Sequence, residues 1–341
     1  MHMKNSQIYS TDKKPAIACL VMTMLLIAAV LAAICIGSVS ISPGAVWNVV
    51  SGRERGTTQA NIILLVRIPR VFGCIVAGAA LAVSGAVIQT VLANPLAAPN
   101  VIGVNAGAGF AVALFSALMP AYAAFSPLAA FAGALLAVLL VLMIAEKSGA
   151  SKITLVLAGV AVSSVFGALI DATITFFPEA LNGYSDFRIG GLANLSMARV
   201  VPAFWTVVIA IAILLSLHNE MDVLSLGMET ASTLGLNAKP LRILLLALAA
   251  ALAGAAVSFA GLLGFVGLIV PHVVRMMVGE SSLELISASA LGGALLLTVC
   301  DLAARALFAP YELSVGILLS CIGGPFFIHL LIKQRGGRSR D

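Results

Sequence analysis

The sequence predicts an all-α protein that crosses a membrane about ten times. Of its 341 residues, 61% are hydrophobic and only 10% are charged, and the mean hydropathy is +1.11. A soluble domain of this length would need far more polar surface to cover its core. Apolar runs of about 20 residues, the length of a helix that crosses a bilayer, recur from one end of the chain to the other.

Prolines, glycines and charged residues separate the first five predicted spans. The first span is too long for the apolar region of a signal peptide, so we expect a retained helix. The second opens on Arg67-Ile-Pro-Arg70 and ends before an Asn-Pro turn, and the third opens on glycines. Glu146 closes the fourth, and Pro178 follows the fifth. The predicted limits are 16–37, 67–92, 100–119, 125–145 and 152–177.

The next five spans are bounded in the same way. The sixth runs from Arg199 to a histidine, and the seventh begins at Pro240 and ends in a glycine-containing turn. The eighth is short for a full crossing, so we expect it to tilt or to be shielded by neighbours. The ninth carries two charges near its end, and a basic tail follows the tenth. The predicted limits are 199–217, 240–262, 264–278, 284–309 and 313–333.

Basic residues flank the first and last spans, which predicts that both ends of the chain are cytoplasmic. The flanking residues are Lys4, Lys13, Lys14, Lys333, Arg335, Arg338 and Arg340. We therefore predict a cytoplasmic tail at 1–15, a transmembrane domain at 16–333 with a cytoplasmic loop at 218–239, and a basic tail at 334–341. This topology leaves an excess of arginines outside, for which contact with a partner protein is one explanation.

Small residues recur at every fourth position in two spans, which predicts close helix packing because small side chains let helix backbones approach one another in lipid. The positions are Gly78, Ala82, Ala86, Ala250, Gly254 and Ser258.

The sequence contains no constellation that is typical of an enzyme. It has no HExxH, GxSxG or phosphate-loop motif, and its five cysteines lie in apolar runs without CxxC spacing. His272 and His329 lie near predicted helix ends. At such positions an imidazole can either be hydrogen-bonded within the protein or serve to bind a ligand. The basic residues flank helices and form no contiguous patch, which excludes nucleic-acid binding. We expect no metal and no cofactor on this chain.

Charged residues inside predicted spans are costly in lipid, so Asp171, Asp301 and Arg305 each need a physical reason. Asp171 lies toward the outer end of the fifth span. Asp301 and Arg305 are four residues apart on the ninth and are expected to pair, which leaves Arg305 near the outer surface and within reach of a partner.

The loop at 218–239 is predicted to contain one short amphipathic helix, since Leu224, Met228, Ala231 and Leu234 follow helical spacing before Gly235. Such a helix can lie flat on the membrane or dock in a groove on another protein. Its acidic residues, including Glu229, favour the protein partner.

Taken together, these segments resemble the FecCD-type permeases of binding-protein-dependent ABC importers for ferric siderophores, haem and cobalamin. The resemblance covers about residues 20–335. Its motifs are Arg67-Ile-Pro-Arg70, Ser84-Gly85-Ala-Val-Ile-Gln89, Asn94-Pro95-Leu96-Ala97, Gly103-Val-Asn-Ala-Gly107, Gly264-Phe-Val-Gly267-Leu-Ile-Val-Pro271-His272-Val-Val-Arg275, Asp301-Leu-Ala-Ala-Arg305 and Gly324-Pro325-Phe326-Phe327.

The resemblance implies the ten-helix fold of a type II ABC importer permease in a bacterial cytoplasmic membrane. It implies a second permease subunit (the same chain or a close paralogue), two cytoplasmic ATPase subunits that use the ATP, and an extracytoplasmic substrate-binding protein.

Individual residues also acquire implied roles. Arg67, Arg70 and Arg305 resemble the arginines that meet acidic residues of the binding protein. The loop residues Gly227, Glu229, Ala231 and Gly235 resemble the helix that couples to the ATPase. The fifth and tenth spans are expected to line the translocation path, with Ser163, Gly167, Asp171, Ser320 and Gly324 as candidates.

The chain departs from the family's pattern at two positions. Leu262 and Ser314 stand where the family often has proline, and both positions affect how helices enter near the path.

We expect this chain to be the permease of an iron(III)-siderophore importer, with haem and cobalamin as alternatives within the family. An ion-coupled secondary transporter is the alternative from a different class. Two features count against this alternative. The sequence lacks a series of acidic residues through the bilayer that could relay ions, and the loop at 218–239 is predicted to dock on a partner protein. A membrane-embedded enzyme is disfavoured by the lack of a convergent catalytic set.

Overall fold

The computed structural model describes residues 14–37, 39–54, 56–149, 151–193, 195–307 and 311–338, and the described parts are helical throughout apart from their connections. In chain order the α-helices are α1 (Lys14–Cys35), α2 (Pro43–Val50), α3 (Thr58–Asn61), α4 (Ile68–Leu92), α5 (Val104–Leu118), α6 (Ser126–Lys147), α7 (Lys152–Phe176), α8 (Ala180–Ile189), α9 (Met197–Ser216), α10 (His218–Ser225), α11 (Met228–Thr233), α12 (Ala238–Ala260), α13 (Val266–Val278), α14 (Ser282–Ala306) and α15 (Val315–Arg338).

Within the described residues, seven helices are long and apolar enough to cross a membrane, and three shorter apolar helices bring the total to the ten that the sequence predicts. The seven are Lys14–Cys35, Thr58–Leu92, Pro120–Lys147, Lys152–Phe176, Met197–Ser216, Ala238–Ala260 and Ser282–Ala306, and the shorter ones are Val104–Leu118, Val266–Val278 and Val315–His329. The all-α membrane fold is thereby confirmed.

The bounds differ from the prediction mainly at the ends. The helix of the second span begins at Thr58 and runs through a π-helical segment, Ile62–Arg67, into α4. The last helix continues to Arg338, into the predicted tail at 334–341. Residues 1–13 and 339–341 of the predicted tails lie outside the described residues.

The short helices α2 and α8 lie between spans and were not predicted. Each is too short to cross a bilayer, at about 1.5 Å per residue. The hydroxyl of Ser42 accepts a hydrogen bond from the backbone N–H of Ala45 and so caps α2. The sequence pattern of long apolar runs gives no signal for such elements.

The centre of the fold is α4, which is buried along most of its length and packs against α12, α13 and α14. A Cβ at Gly78 would overlap the backbone of Gly293, and one at Gly85 would overlap the carbonyl of Gly267. The Ser84 hydroxyl donates to the carbonyl of Ala249 over 2.6 Å. The backbones of these helices therefore touch, as the spacing of small residues predicts.

Two helix breaks lie beside this core. A 3-10 turn, Pro99–Ile102, precedes α5, and a non-helical turn from Gly261 to Phe265 joins α12 to α13. Phe265 has a positive φ of 66°, which is a strained conformation for a residue with a side chain. Both breaks line one cavity of about 310 Å³, together with Phe327 of α15. Irregular backbone within a membrane domain is tolerated where it lines a cavity, as both of these breaks do.

Candidate functional site

The three arginines that the sequence singles out lie together, at the end of the molecule that the topology predicts to be extracytoplasmic. Arg67 ends the π-helical segment, Arg70 lies in the first turn of α4, and Arg305 lies in the last turn of α14. All three side chains are buried, with only 3–4% of each residue exposed. We refer to these arginines with Asp301 and Glu312 as the outer ionic cluster.

Asp301 is the centre of the outer ionic cluster. Its carboxylate accepts hydrogen bonds from Nε of Arg70, over 3.0 and 3.1 Å to the two oxygens. Nε of Arg305 lies 3.1 Å from Oδ2, an ion-pair contact without hydrogen-bond geometry. The predicted pair of Asp301 and Arg305 is thus present, and Arg70 is a second partner. A buried carboxylate is tolerated only when it is paired in this way.

Arg67 and Arg305 also hold the end of α1. The guanidinium of Arg67 donates to the carbonyls of Ile34 and Val39. That of Arg305 donates to Ala33 over 3.2 Å and reaches Ile36 at 3.5 Å. The last carbonyls of a helix lack partners within the helix and carry partial negative charge. The two arginines therefore cap α1, a role that sequence reasoning did not identify.

The outer ionic cluster reaches the surface at Glu312. Nη1 of Arg70 lies 2.7 Å from Oε2 of Glu312, whose side chain is 36% exposed. The other four charged side chains of the cluster are almost fully buried. The use of Arg67, Arg70 and Arg305 as contacts for a binding protein remains a prediction, and in this structure each of the three guanidinium groups donates hydrogen bonds within the chain.

The cytoplasmic loop contains two short helices where one was predicted, and that expectation was wrong. Gly227 separates α10 from α11 with a φ of 111°, which a residue with a side chain rarely adopts. The spacing of apolar residues does not reveal this break. Gly235, with a φ of 86°, ends α11 as predicted.

The residues of this loop divide into buried and exposed sets. Ala231 is fully buried against the chain's own core, whereas Glu229 is exposed. Two leucines are also exposed, Leu226 at 63% and Leu234 at 65%. Two exposed leucines and an exposed acid on one loop that is predicted to be cytoplasmic are suited to contact with a protein.

The predicted path residues on α7 lie in different environments. Ser163 is half-buried, and its hydroxyl lies toward Gly103 at the start of α5. A Cβ at Gly167 would have no atom within 4 Å, so this glycine faces open space. Asp171 is exposed. Ser164, Ala168 and Thr175 share its face at helical spacing and are also exposed, and sequence reasoning missed all three.

The outer end of this face lies beside α8. Burial raises the pKa of the Tyr184 hydroxyl on α8, while Arg188 lowers it and Asp171 raises it further. The phenol is therefore neutral at physiological pH and keeps its O–H donor.

On α15 the predicted path residues share one face. Ser320 is exposed and its hydroxyl bonds back to the carbonyl of Gly316 at 2.8 Å. Gly324 is four residues further on, and a Cβ there would meet nothing within 4 Å. The single chain thus leaves small and polar faces of α7 and α15 uncovered.

Hydrogen bonds connect the C-terminal end of α8 to Leu262 and Ser314, the two positions at which the resemblance implies that the family often has proline. The backbone N–H of Leu262 donates to the carbonyl of Phe187 over 3.0 Å. The Ser314 hydroxyl donates to the carbonyl of Gly190. The backbone N–H of Gly191 donates to Ala260 over 2.9 Å. Proline can make neither of the first two bonds, because it has no N–H and no hydroxyl.

No group of three or more metal-ligating side chains occurs in the part of the chain that the structure describes. A second cavity, of about 380 Å³, lies where the end of α4 meets α13, and Gln89, His272 and Arg275 line it.

Known proteins provide close comparisons. The Fe(3+)-citrate import system permease protein YfmE of Bacillus subtilis is 37% identical over 321 residues, covering 94% of this chain and 96% of that protein. The hemin transport system permease protein HmuU of Yersinia pestis is 35% identical, covering 89% and 91%. The cobalamin import system permease protein BtuC of Halobacterium salinarum is 41% identical, covering 80% and 74%.

A solved structure gives the same result for the fold. An inward-facing metal-chelate type ABC transporter superposes with a TM-score of 0.79 and 30% identity, covering 94% of this chain and 99% of that one. The model of the FecCD transport family matches residues 25–333. The chain therefore belongs to the FecCD transport family and is a multi-pass membrane permease of the ABC importer type.

Proposed function

We propose that this chain is the permease subunit of an ATP-driven importer of iron(III)-siderophore in a bacterial cytoplasmic membrane. A second permease, either another copy or a close paralogue, completes the translocation path. Two cytoplasmic ATPase subunits hydrolyse the ATP, and an extracytoplasmic binding protein delivers the ligand. The chain itself performs no covalent chemistry and binds no cofactor.

The uncovered charge of α7 is the observation that carries this proposal. Asp171 is exposed on a helix long enough to cross the membrane, on the same face as Ser164 and Thr175. A carboxylate is costly against lipid, so such a face belongs against water or a second subunit. Gly167 at the edge of this face and Gly324 on α15 both leave open space for a bulky ligand.

The names of the relatives support an iron chelate as the ligand. Proteins named for ferric citrate, such as YfmE and the Escherichia coli protein FecD, are 37% and 36% identical to this chain. HmuU is named for hemin and BtuC for cobalamin, so haem and cobalamin are the alternatives.

An ion-coupled secondary transporter fits less well. Such a transporter needs titratable groups that are free to exchange ions along the path. Asp301 is buried in a helix of this chain, but its carboxylate is held by Arg70 and Arg305.

Reconstitution tests the class of transporter. Proteoliposomes containing the permease are loaded with ATP and given a radiolabelled ferric siderophore, with and without the ATPase subunits and the binding protein. We expect uptake only with ATP and all components. Uptake that persists without ATPase subunits or ATP would overturn the importer proposal.

A further inference from the structure

We propose that α2 is an interfacial anchor whose outward face lies in the head-group region of the outer leaflet of the bilayer. The partner on this surface is thus the lipid itself. The proposal concerns residues that have no part in the transport mechanism argued above.

The two faces of α2 are both apolar, but only one is covered by the protein. Val49 is 4% exposed and packs in a small cluster with Ile41, Ala60 and Ile63. On the opposite face, Pro43, Trp47 and Val50 follow at helical spacing and are exposed, Trp47 at 66% and Val50 at 59%.

The inner face of α2 places the helix at the boundary of the membrane. Ile63 belongs to the π-helical segment that leads into the second membrane-crossing helix, and Ile34, near the end of α1, packs against the same cluster. Arg67 reaches back to the carbonyl of Val39, just before α2. The helix is therefore tied to the points where two membrane-crossing helices meet the outer surface.

The second membrane-crossing helix also has an exposed apolar surface close in sequence to its contact with α2. Leu64, Leu65 and Val66 follow Ile63 directly and are all exposed. An exposed apolar surface on this membrane-crossing helix therefore begins one residue after its contact with α2.

The composition of the segment matches an interfacial position. No residue from 36 to 52 is charged, and the first charges after it are Arg53 and Glu54. Tryptophan is enriched where a bilayer meets water, because its ring is apolar and its N–H can bond to water or head groups. An aqueous position would instead leave Trp47 and Val50 exposed to water at an energetic cost.

The chain has only two tryptophans, Trp47 and Trp205, which makes a direct test possible. Trp205 is exposed near the middle of α9, a membrane-crossing helix, and serves as the matched control. The variants W205F and W47F each retain one tryptophan. Each is reconstituted as the full chain in vesicles whose lipids carry bromine near the head group or near the middle of the acyl chain.

For W205F we expect Trp47 to lose more fluorescence to the shallow bromines than to the deep ones, and little to aqueous acrylamide. For W47F we expect Trp205 to lose more to the deep bromines. Should W205F fold poorly, W205Y gives the same readout after selective excitation of tryptophan. Strong quenching of Trp47 by acrylamide with no effect of either brominated lipid would mean that α2 faces water or a protein, and the proposal would be wrong.

Discussion

Gly323 and Gly324 are neighbours in α15 but have opposite surroundings. A Cβ at Gly323 would overlap the ring and Cβ of Phe265, whereas one at Gly324 would meet nothing within 4 Å. Phe265 is the strained residue that precedes α13. Gly323 thus allows a tight contact between α13 and α15, and Gly324 leaves space on the face that we propose for the path.

The two glycines are expected to respond differently to the same substitution. Gly323→Ala should lower the stability by about 1–3 kcal/mol, as overpacking does. Gly324→Ala should leave the thermal unfolding temperature of the detergent-solubilised permease unchanged or raise it slightly, because alanine favours a helix interior more than glycine does. Reconstituted uptake should fall in Gly324→Phe, which fills the open space. Equal stability losses in the two alanine variants would contradict this assignment.

The buried carboxylate of Asp301 predicts a large effect on stability. Asp301→Ala removes the shared partner of Arg70 and Arg305 and leaves two buried cations less well paired, which typically costs about 3–5 kcal/mol. Lys239→Gln is the control, because Lys239 is largely exposed and its ion pair with Glu146 contributes less than about 1 kcal/mol. Thermal unfolding in detergent measures the loss of stability in each variant. Similar small losses in the two variants would show that the outer ionic cluster is not needed for folding.

The Glu312 carboxylate accepts a hydrogen bond from Nη1 of Arg70. A carboxylate of the binding protein would need the same N–H group. If the binding protein docks on this arginine, Glu312→Gln should weaken the internal contact and tighten docking, most clearly at low salt. Surface plasmon resonance with the binding protein that supports uptake measures the affinity. Gln59, on α3 of the same outer surface, provides a control as Gln59→Glu. Weaker or unchanged docking of Glu312→Gln would count against an exchange of carboxylates at Arg70.

The exposed leucines of the cytoplasmic loop predict a test of coupling. Leu234→Asp places a charge on the exposed apolar surface and should lower transport-linked ATP hydrolysis while the permease remains folded. A bulky residue at Ala231 is a poorer probe, because Ala231 is buried and the change would disturb this chain's own packing. Thr233→Asp, on an exposed neighbour, is the control. Normal coupling in Leu234→Asp would argue against contact between this loop and the ATPase.

Asp222 connects the same loop to α14. Its Oδ1 accepts the backbone N–H of Ser282, the first residue of α14, over 2.8 Å. Asp222→Ala should cost about 1 kcal/mol, as the loss of a helix cap does, and Asp222→Asn should recover most of it by retaining an acceptor. Thermal unfolding measures the loss of stability in the alanine and asparagine variants. Identical losses in the two would indicate that the charge of Asp222, and not its hydrogen bond to the helix end, stabilises the protein.

The membrane-crossing helices were predictable because long apolar runs and their breakers carry most of the information about them. The pairing of Asp301 with Arg305 was predictable for a similar reason, since residues four apart share a helix face. Arg70 was not recognisable as a partner, because 231 residues separate it from Asp301. Local spacing contains no information about which helices become neighbours.

The candidate site shows a second limit of the sequence. The apolar positions around Gly227 fit one helix, and only the positive φ of that glycine reveals two. Likewise, the spacing of α7 does not distinguish Ser163, which lies toward α5, from Ser164, which is exposed. Deciding between adjacent residues requires the packing of the whole bundle.

The bonds at Leu262 and Ser314 bear on the construction of chimaeric permeases. A related sequence with proline at these positions would appear to be a harmless donor for the turn between α12 and α13 and for the turn before α15, which both contact the C-terminal end of α8. Each exchange would remove a bond to the carbonyl of Phe187 or Gly190 and replace it with a fixed backbone angle. A graft of these turns should therefore include both positions together with residues 187–191, so that the donor's own contacts are transferred as a unit.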